Sequence, residues 1–239
     1  MGIKLLTFDL DHTLWAPENA LAGADKEMYA WLTQHYPQVT ELYSPQALTD
    51  YRLALAAQNP QLAVKVSAMR IEVLRLVCLE AGMNAEQADD VSKQAFSIFY
   101  HHRSNIEFYP DALETVTELA QDYPLIALTN GNADLKLIGI DHLFKAYFNA
   151  DGVGTAKPSP EMFLAALEYA QVKAENCVHI GDCPVNDVLA PKRVGMKAVW
   201  VNAAQDQWPH ASETTPDAVI THVRELPEIL KQWSRLGAT

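Results

Sequence analysis

Cysteine is sparse and shows no pairing pattern. The chain has three, Cys78, Cys177 and Cys183. An odd number without a CxxC spacing suggests neither a disulfide framework nor a zinc cluster, and fits a reducing cytoplasm. Long apolar runs are missing too. The N-terminal stretch Ile3, Leu5, Leu6, Phe8 meets Asp9 too early for a signal-peptide core, and nothing elsewhere approaches a membrane span, so a soluble, unprocessed, cytoplasmic protein is expected. Positive charge is short: 18 Lys plus Arg stand against 30 Asp plus Glu, a net charge of −12. That balance argues against a broad nucleic-acid surface. It leaves room for a small anionic substrate, because a metal ion and one well-placed Lys reverse the potential locally inside a cleft. Internal repeats, low-complexity tracts and flexible linkers are also absent.

What is present is the balance of an ordinary globular protein, 239 residues of which 49% are apolar and 20% charged. That length suffices for one large α/β domain or for a core carrying a smaller insertion. Residues 3–10, IKLLTFDL, read as a buried parallel strand whose carboxyl end carries function. From 18 to 105 glycine is scarce and apolar residues recur at helical spacing, as at Met69, Val73, Leu76 and Val77, which predicts a helical insertion. Breaks at Tyr36-Pro37, Ser44-Pro45, Asn59-Pro60 and Ala81-Gly82 divide it into about four helices. After Tyr109-Pro110 strands at 124–130, 147–149, 177–182, 197–202 and 218–220 alternate with helices at 111–121, 133–139, 185–194 and 224–235. One further helix is expected to open with Ser159 as N-cap and Pro160 in its first turn. This alternation predicts a parallel, doubly wound α/β sheet. The expected domains are a core of 1–17 and 106–239 and an all-helical cap of 18–105.

In open α/β sheets ligands bind beyond the carboxyl ends of the strands. Asp9, Thr129 and Asp182 fall there, with Lys157 and Asp187 just past neighbouring elements. Asp9 and Asp11, two residues apart at a strand end, aim to one side, so one carboxylate can attack while the other moves protons. Thr129-Asn130-Gly131 offers a hydroxyl and backbone N–H groups to phosphate oxygens. Lys157 stands between a glycine-bearing loop and a proline-stiffened helix start, suited to neutralising phosphate and nucleophile. Asp182 and Asp187 add oxygen donors that suit magnesium better than zinc. Taken singly, each has a plain alternative: a turn-capping acid, an ordinary Asn-Gly turn, a solvated lysine, acids at a helix N-terminus. Together they crowd carboxylates into one crevice, which calls for a bound cation. His101, His102 and Arg103 read as helix-end cations, His179 as a core strand residue, and Trp31, Tyr36, Tyr43 and Tyr51 as packing.

The segments DLDHT, LTNG, KPSPEMF and GDCPVND, in that order and spacing, resemble the four signature motifs of the haloacid dehalogenase superfamily. The helical stretch resembles the inserted cap of its small-metabolite phosphatases. The resemblance implies a Rossmann-like core and a Mg2+-dependent phosphatase. In it Asp9 is the nucleophile, Asp11 the general acid/base whose backbone carbonyl also meets the metal, and Thr13 a support of the nucleophile loop near the substrate. Thr129, Asn130 and Gly131 bind phosphate, Lys157 stabilises it, and Asp182 and Asp187 join Asp9 and Asp11 as metal ligands. The TFDLDHTL start, Leu128 to Ala133, and the stretches around Met69-Arg70 and Leu79 to Met83 are similar to bacterial phosphatases acting on flavin mononucleotide or its ribitylaminouracil phosphate precursor. The expected partner is a small phosphate ester; the oligomeric state is left open. The rivals are carbon–halogen hydrolysis, against which Asp11 argues, phosphomutase chemistry, and a non-catalytic ligand-binding module.

Overall fold

Six short apolar runs become strands in the computed structural model of the chain, which describes residues 2–210 and 212–236. They are β1 (Leu5–Phe8), β2 (Leu125–Thr129), β3 (Ala146–Asn149), β4 (Cys177–Gly181), β5 (Lys197–Val201) and β6 (Ala218–Ile220). They form one sheet in the order β3-β2-β1-β4-β5-β6, and every pairing is parallel. The doubly wound α/β class expected from the alternation is the one observed. β1, β2 and β4 are buried along their whole length, as strands covered on both faces must be, which is why they read as unbroken apolar runs. Register sets Leu6 beside Leu125 on one side and Val178 on the other. The direction of winding reverses between β1 and β4, and at such a switch point the loops beyond the two strand ends part and leave a crevice.

The structure divides into two units, one of Met1–Ala16, Glu107–Gly131 and Gly139–Thr239, the other of Pro17–Ile106 and Asn132–Ile138. The second holds α1 (Glu18–His35), α2 (Pro37–Leu42), α3 (Pro45–Gln58), α4 (Pro60–Ala63), α5 (Val66–Glu80) and α6 (Ala85–His102). These are six helices where about four were expected. Proline stands at the first position of α2, α3 and α4, where its missing N–H costs nothing, and a further break falls at Val64 and Lys65. The unit has its own core of Leu32, Leu74, Val77 and Phe99 with their neighbours. Residues 132–138, expected with the sheet, group with these helices: Asn132 Nδ2 donates to Ser67 Oγ at 3.1 Å and the Tyr100 hydroxyl to Asp134 Oδ2 at 3.2 Å.

In the sheet unit α7 (Ala112–Asp122) leads into β2, α8 (Leu135–Ile138) belongs to the excursion just described, and α9 (Ala150–Val153) and α10 (Glu161–Ala170) follow β3. α10 lays Met162, Phe163 and Ala166 against Leu5, Ile126, Leu128 and Cys177 of the sheet. It begins one residue later than expected, with Pro160 at the N-cap and no side-chain cap: the Ser159 N–H closes a turn onto Ala156 O instead. A π-helical turn, Pro184–Leu189, precedes α11 (Ala190–Val194), and α12 (Leu226–Leu236) ends the described chain. Among the described residues no helix is long and apolar enough to cross a membrane.

α6 opens with a reciprocal capping box, Gln87 N–H to Asn84 Oδ1 at 2.9 Å and Asn84 N–H to Gln87 Oε1 at 3.2 Å. Asn84→Ala removes one acceptor from an otherwise orphaned helix end and is expected to cost about 0.5–2 kcal/mol. Urea denaturation checks this; an unchanged midpoint would show that the cap contributes nothing.

Candidate active site

β1 stops at Phe8 and hands the chain to Asp9, whose N–H still donates to Ile180 O of β4 at 2.9 Å. This last rung fixes Asp9 over the switch point. The backbone then winds into a tight turn, with Thr13 and Leu14 N–H groups on Leu10 O and the His12 N–H on Trp15 O at 2.7 Å. The turn holds His12 at φ +62, a left-handed conformation uncommon for a residue with a side chain and a recurrent mark of functional loops. Asp11 Oδ1 accepts the Trp15 indole N–H at 2.7 Å. Thr13, fully buried, donates its hydroxyl to Asp182 Oδ1 at 3.3 Å.

The centre of the site is Lys157. Its ammonium lies 2.9 Å from Asp9 Oδ1 and 2.6 Å from Asp187 Oδ1, with all three side chains almost wholly out of solvent. The main chain at Lys157 is clamped by Asn130, which accepts the Lys157 N–H on Oδ1 at 2.7 Å and donates Nδ2 to Lys157 O at 2.9 Å. Both polar ends of the Asn130 side chain therefore help to place the lysine. Beside it Thr129 Oγ1 accepts the Gly131 N–H at 3.0 Å. Thus the two predicted phosphate-loop residues Asn130 and Gly131 brace this loop through those groups, while the Thr129 hydroxyl hydrogen is left over from that bond.

Asp187 reaches the site because the wide π-helical turn swings it back over β4. Its Oδ2 accepts the Cys183 N–H at 3.0 Å. Its Oδ1 meets His179 Nε2 at 3.0 Å, and Thr7 Oγ1 lies 2.8 Å from His179 Nδ1. The arrangement is satisfied by a neutral imidazole that donates to the carboxylate and accepts from the threonine. Gly181 makes it possible: a Cβ there would lie 2.4 Å from Asp187 Cγ. His179, Thr7 and the steric need for Gly181 were invisible as site features, although His179 does sit on a buried strand as expected. The signal that could have found His179 is its period-two relation to Gly181, the last residue before Asp182.

Asp9, Asp182 and Asp187 each offer an oxygen within 4.8 Å of the others. Asp11 lies outside this side-chain group. One ammonium faces three carboxylates, and the titration reflects it. Burial, together with Asp187 and Asp182, pushes Asp9 up to about 8 despite Lys157. Asp182 is raised by burial and by Asp187, against the opposing pull of His12 and Thr13. Burial also works against the charged form of Asp187, but Lys157 and His179 outweigh it and hold the carboxyl below its ordinary value. Burial disfavours the Lys157 ammonium, and Asp187 and Asp9 more than restore it. An all-oxygen donor set with uncompensated negative charge fits a hard divalent cation such as Mg2+; Asp9 and Asp182, which lack their own full complement of donors, are the side chains best able to hold it.

A parallel sheet with an aspartate directly after its first strand, a buried lysine and a carboxylate cluster at the switch point describes the candidate site of an α/β hydrolase. The chain belongs to the haloacid dehalogenase-like hydrolases, whose family profile matches residues 3–195. It is 30% identical over 199 residues to the 5-amino-6-(5-phospho-D-ribitylamino)uracil phosphatase YigB of Escherichia coli, covering 83% of each chain. It is 32% identical over 171 residues to the phosphoserine phosphatase of Thermus thermophilus, covering 69% of this chain and 66% of that one. Among solved structures it is similar to a 2-haloacid dehalogenase from Pseudomonas syringae, with a TM-score of 0.90, 34% identity and coverage of 97% and 99%.

Two substitutions test the support under Asp187. Gly181→Ala forces a contact that the core cannot relieve and is expected to cost about 1–3 kcal/mol with a matching loss of turnover. His179→Leu, which strips a buried carboxylate oxygen of a donor, is expected to cost about 1–3 kcal/mol, and His179→Gln to recover part of that. Thermal denaturation reads all three; a Leu variant as stable as the Gln variant would remove the bond from the account.

Proposed function

We propose that the chain is a magnesium-dependent phosphatase that hydrolyses a small phosphate monoester through an aspartyl-phosphate on Asp9. The observation that carries this reading is the Lys157 ammonium held between Asp9 and Asp187 within a cluster completed by Asp182. When bound, Mg2+ supplies charge neutralisation for the phosphoryl oxygens. Asp9 contributes the attacking carboxylate oxygen: its bond to phosphorus forms as the phosphorus–alkoxide bond breaks. Asp11 gives its proton to the departing alkoxide, then takes one from the water that attacks phosphorus and releases Asp9. Lys157 offsets negative charge on the transferring group, and the Thr129 hydroxyl is placed to donate to a phosphoryl oxygen. Asp182 and Asp187 complete the cation site, Asp187 having one lone-pair direction left after its three hydrogen bonds. The helical insertion, residues 18–105, corresponds to the cap of such enzymes.

The substrate we favour is flavin mononucleotide or a riboflavin-pathway phosphate, supported by the likeness to the Escherichia coli ribitylaminouracil phosphatase. The likeness to a protein described as a 2-haloacid dehalogenase favours a second reading, carbon–halogen hydrolysis by Asp9. The carboxylate cluster and Asp11 weigh against it, because displacing halide needs neither a cation nor a general acid. Mg2+-supplied protein is expected to release phosphate from flavin mononucleotide within a panel of phosphomonoesters, to lose turnover with a chelator, and to regain it with added Mg2+. Asp9→Asn is expected to lower turnover by about a thousandfold or more, and Asp11→Asn by about a hundredfold or more. Phosphate release untouched by Asp9→Asn would refute the reading, and halide release from a haloacid in the presence of chelator would install the second one.

A further inference from the structure

The chain leaves the sheet unit after Ala16 and returns to it at Glu107. Just inside these two points the outgoing and returning segments are tied together. The Tyr109 N–H donates to Leu14 O at 2.9 Å, the main chains of Trp15 and Phe108 form an antiparallel bridge, and a second bridge joins Trp15 to Asp11. Trp15 is wholly buried, and its ring meets that of Phe108 edge-on with centroids 5.5 Å apart. Its carbonyl accepts the His12 N–H at 2.7 Å. An aromatic side chain has only two rotatable bonds, so packing and main-chain pairing of this kind hold the ring in one place.

From that place the indole N–H reaches Asp11 Oδ1 at 2.7 Å. The turn itself does not require this bond, because the N–H groups of His12, Thr13 and Leu14 close it through main-chain acceptors. What the bond fixes is the carboxyl group of Asp11. An indole N–H donates and never accepts. A protonated carboxyl has one oxygen that accepts well, the carbonyl oxygen, and one that carries the proton. With Oδ1 accepting from the indole, the transferable proton is placed on Oδ2. The single contact therefore sets the rotation of the group and selects the oxygen that acts as the acid. A general acid works only with its proton within hydrogen-bond reach of the receiving atom, and a misdirected carboxyl forfeits much of the roughly 10²–10⁴-fold that such a group contributes.

We propose that Trp15 is a positioning residue of the phosphoryl-transfer reaction, holding Asp11 so that Oδ2 presents its proton to the departing alkoxide. The proton passes from Asp11 Oδ2 to the alkoxide oxygen as the phosphorus–oxygen bond breaks, and Asp11 is left as the carboxylate with Oδ1 still bound to the indole. The proposal rests on the reading of Asp9 as nucleophile and Asp11 as general acid, and adds the side chain that sets the direction of that acid.

The test compares kcat/KM for phenyl phosphate and p-nitrophenyl phosphate in the full-length protein with Mg2+. The two esters have nearly the same shape, but p-nitrophenolate leaves without a proton whereas the more basic phenolate is helped by one. This parameter ends at the first phosphoryl transfer, before Asp11 is needed as a base. Trp15→Phe keeps a ring beside Phe108 and removes the N–H. It is expected to lower kcat/KM at least about tenfold for phenyl phosphate and less than about threefold for p-nitrophenyl phosphate. Benzothienylalanine inserted at position 15, in which sulfur replaces the N–H within a ring of the same outline, is expected to give the same split, and it decides the question if the phenylalanine variant does not fold. On an Asp11→Asn background neither replacement is expected to change the ratio of the two esters further. Equal losses for both esters, no loss for either, or a further change in the ratio once Asp11 is gone would overturn the positioning role and leave the phosphatase reading standing. Turnover that Asp9→Asn leaves untouched, or no turnover of either ester by the wild type, would remove the phosphatase reading and the role of Trp15 with it.

Discussion

An ammonium removed from water must be met by anions, and Lys157 is met by two that arrive from different parts of the sheet. Asp9 comes off the end of β1 and Asp187 from the turn after β4, while Asn130, beyond β2, holds the lysine's own main chain. Breaking one side of such a buried arrangement leaves an uncompensated charge, which typically costs about 3–5 kcal/mol. Assembly of the site and completion of the fold are therefore coupled: the loops around the switch point find their geometry by satisfying one lysine. The same arrangement leaves the cluster short of positive charge, and this is what prepares it for a cation.

The sheet supplies the placement. Because β1 and β4 are neighbours although far apart in sequence, Asp9 and Asp182 emerge side by side. Behind them the backbone is tuned at single positions. Gly181 yields the space that Asp187 fills, the π-helical turn returns Asp187 over the strand, and His179 with Thr7 anchors it from within the sheet. These contacts are local and buried, and Asp187 links them to the lysine.

Much of this was legible in the sequence, for definite reasons. Apolar runs ending in Asp9, Thr129 and Asp182 mark strands buried on both faces, and their ends name the crevice. The proline-led helix starts at Pro37, Pro45 and Pro60 are equally readable. What was not legible depends on geometry that no periodicity encodes. Asn130 looks like a phosphate ligand in a turn, and only the fold reveals that its side chain also holds the main chain of Lys157 at both ends. Asp11 has the spacing of a partner for Asp9, yet its carboxylate takes a bond from Trp15 and stands apart from the carboxylate cluster. Residues 132–138 follow a core strand and still pack among helices through Asn132 and Asp134.

In the proposed reaction Asp9 becomes the phosphorylated residue. Trapping the enzyme during turnover of a phosphate ester with borohydride, which reduces an acyl-phosphate to an alcohol, and mapping the product by peptide mass spectrometry tests it directly. Conversion of Asp9, and no other residue, to homoserine is expected, dependent on both substrate and Mg2+. Undiminished turnover with Asp9 unmodified, or the modification falling on a different carboxylate, would contradict it.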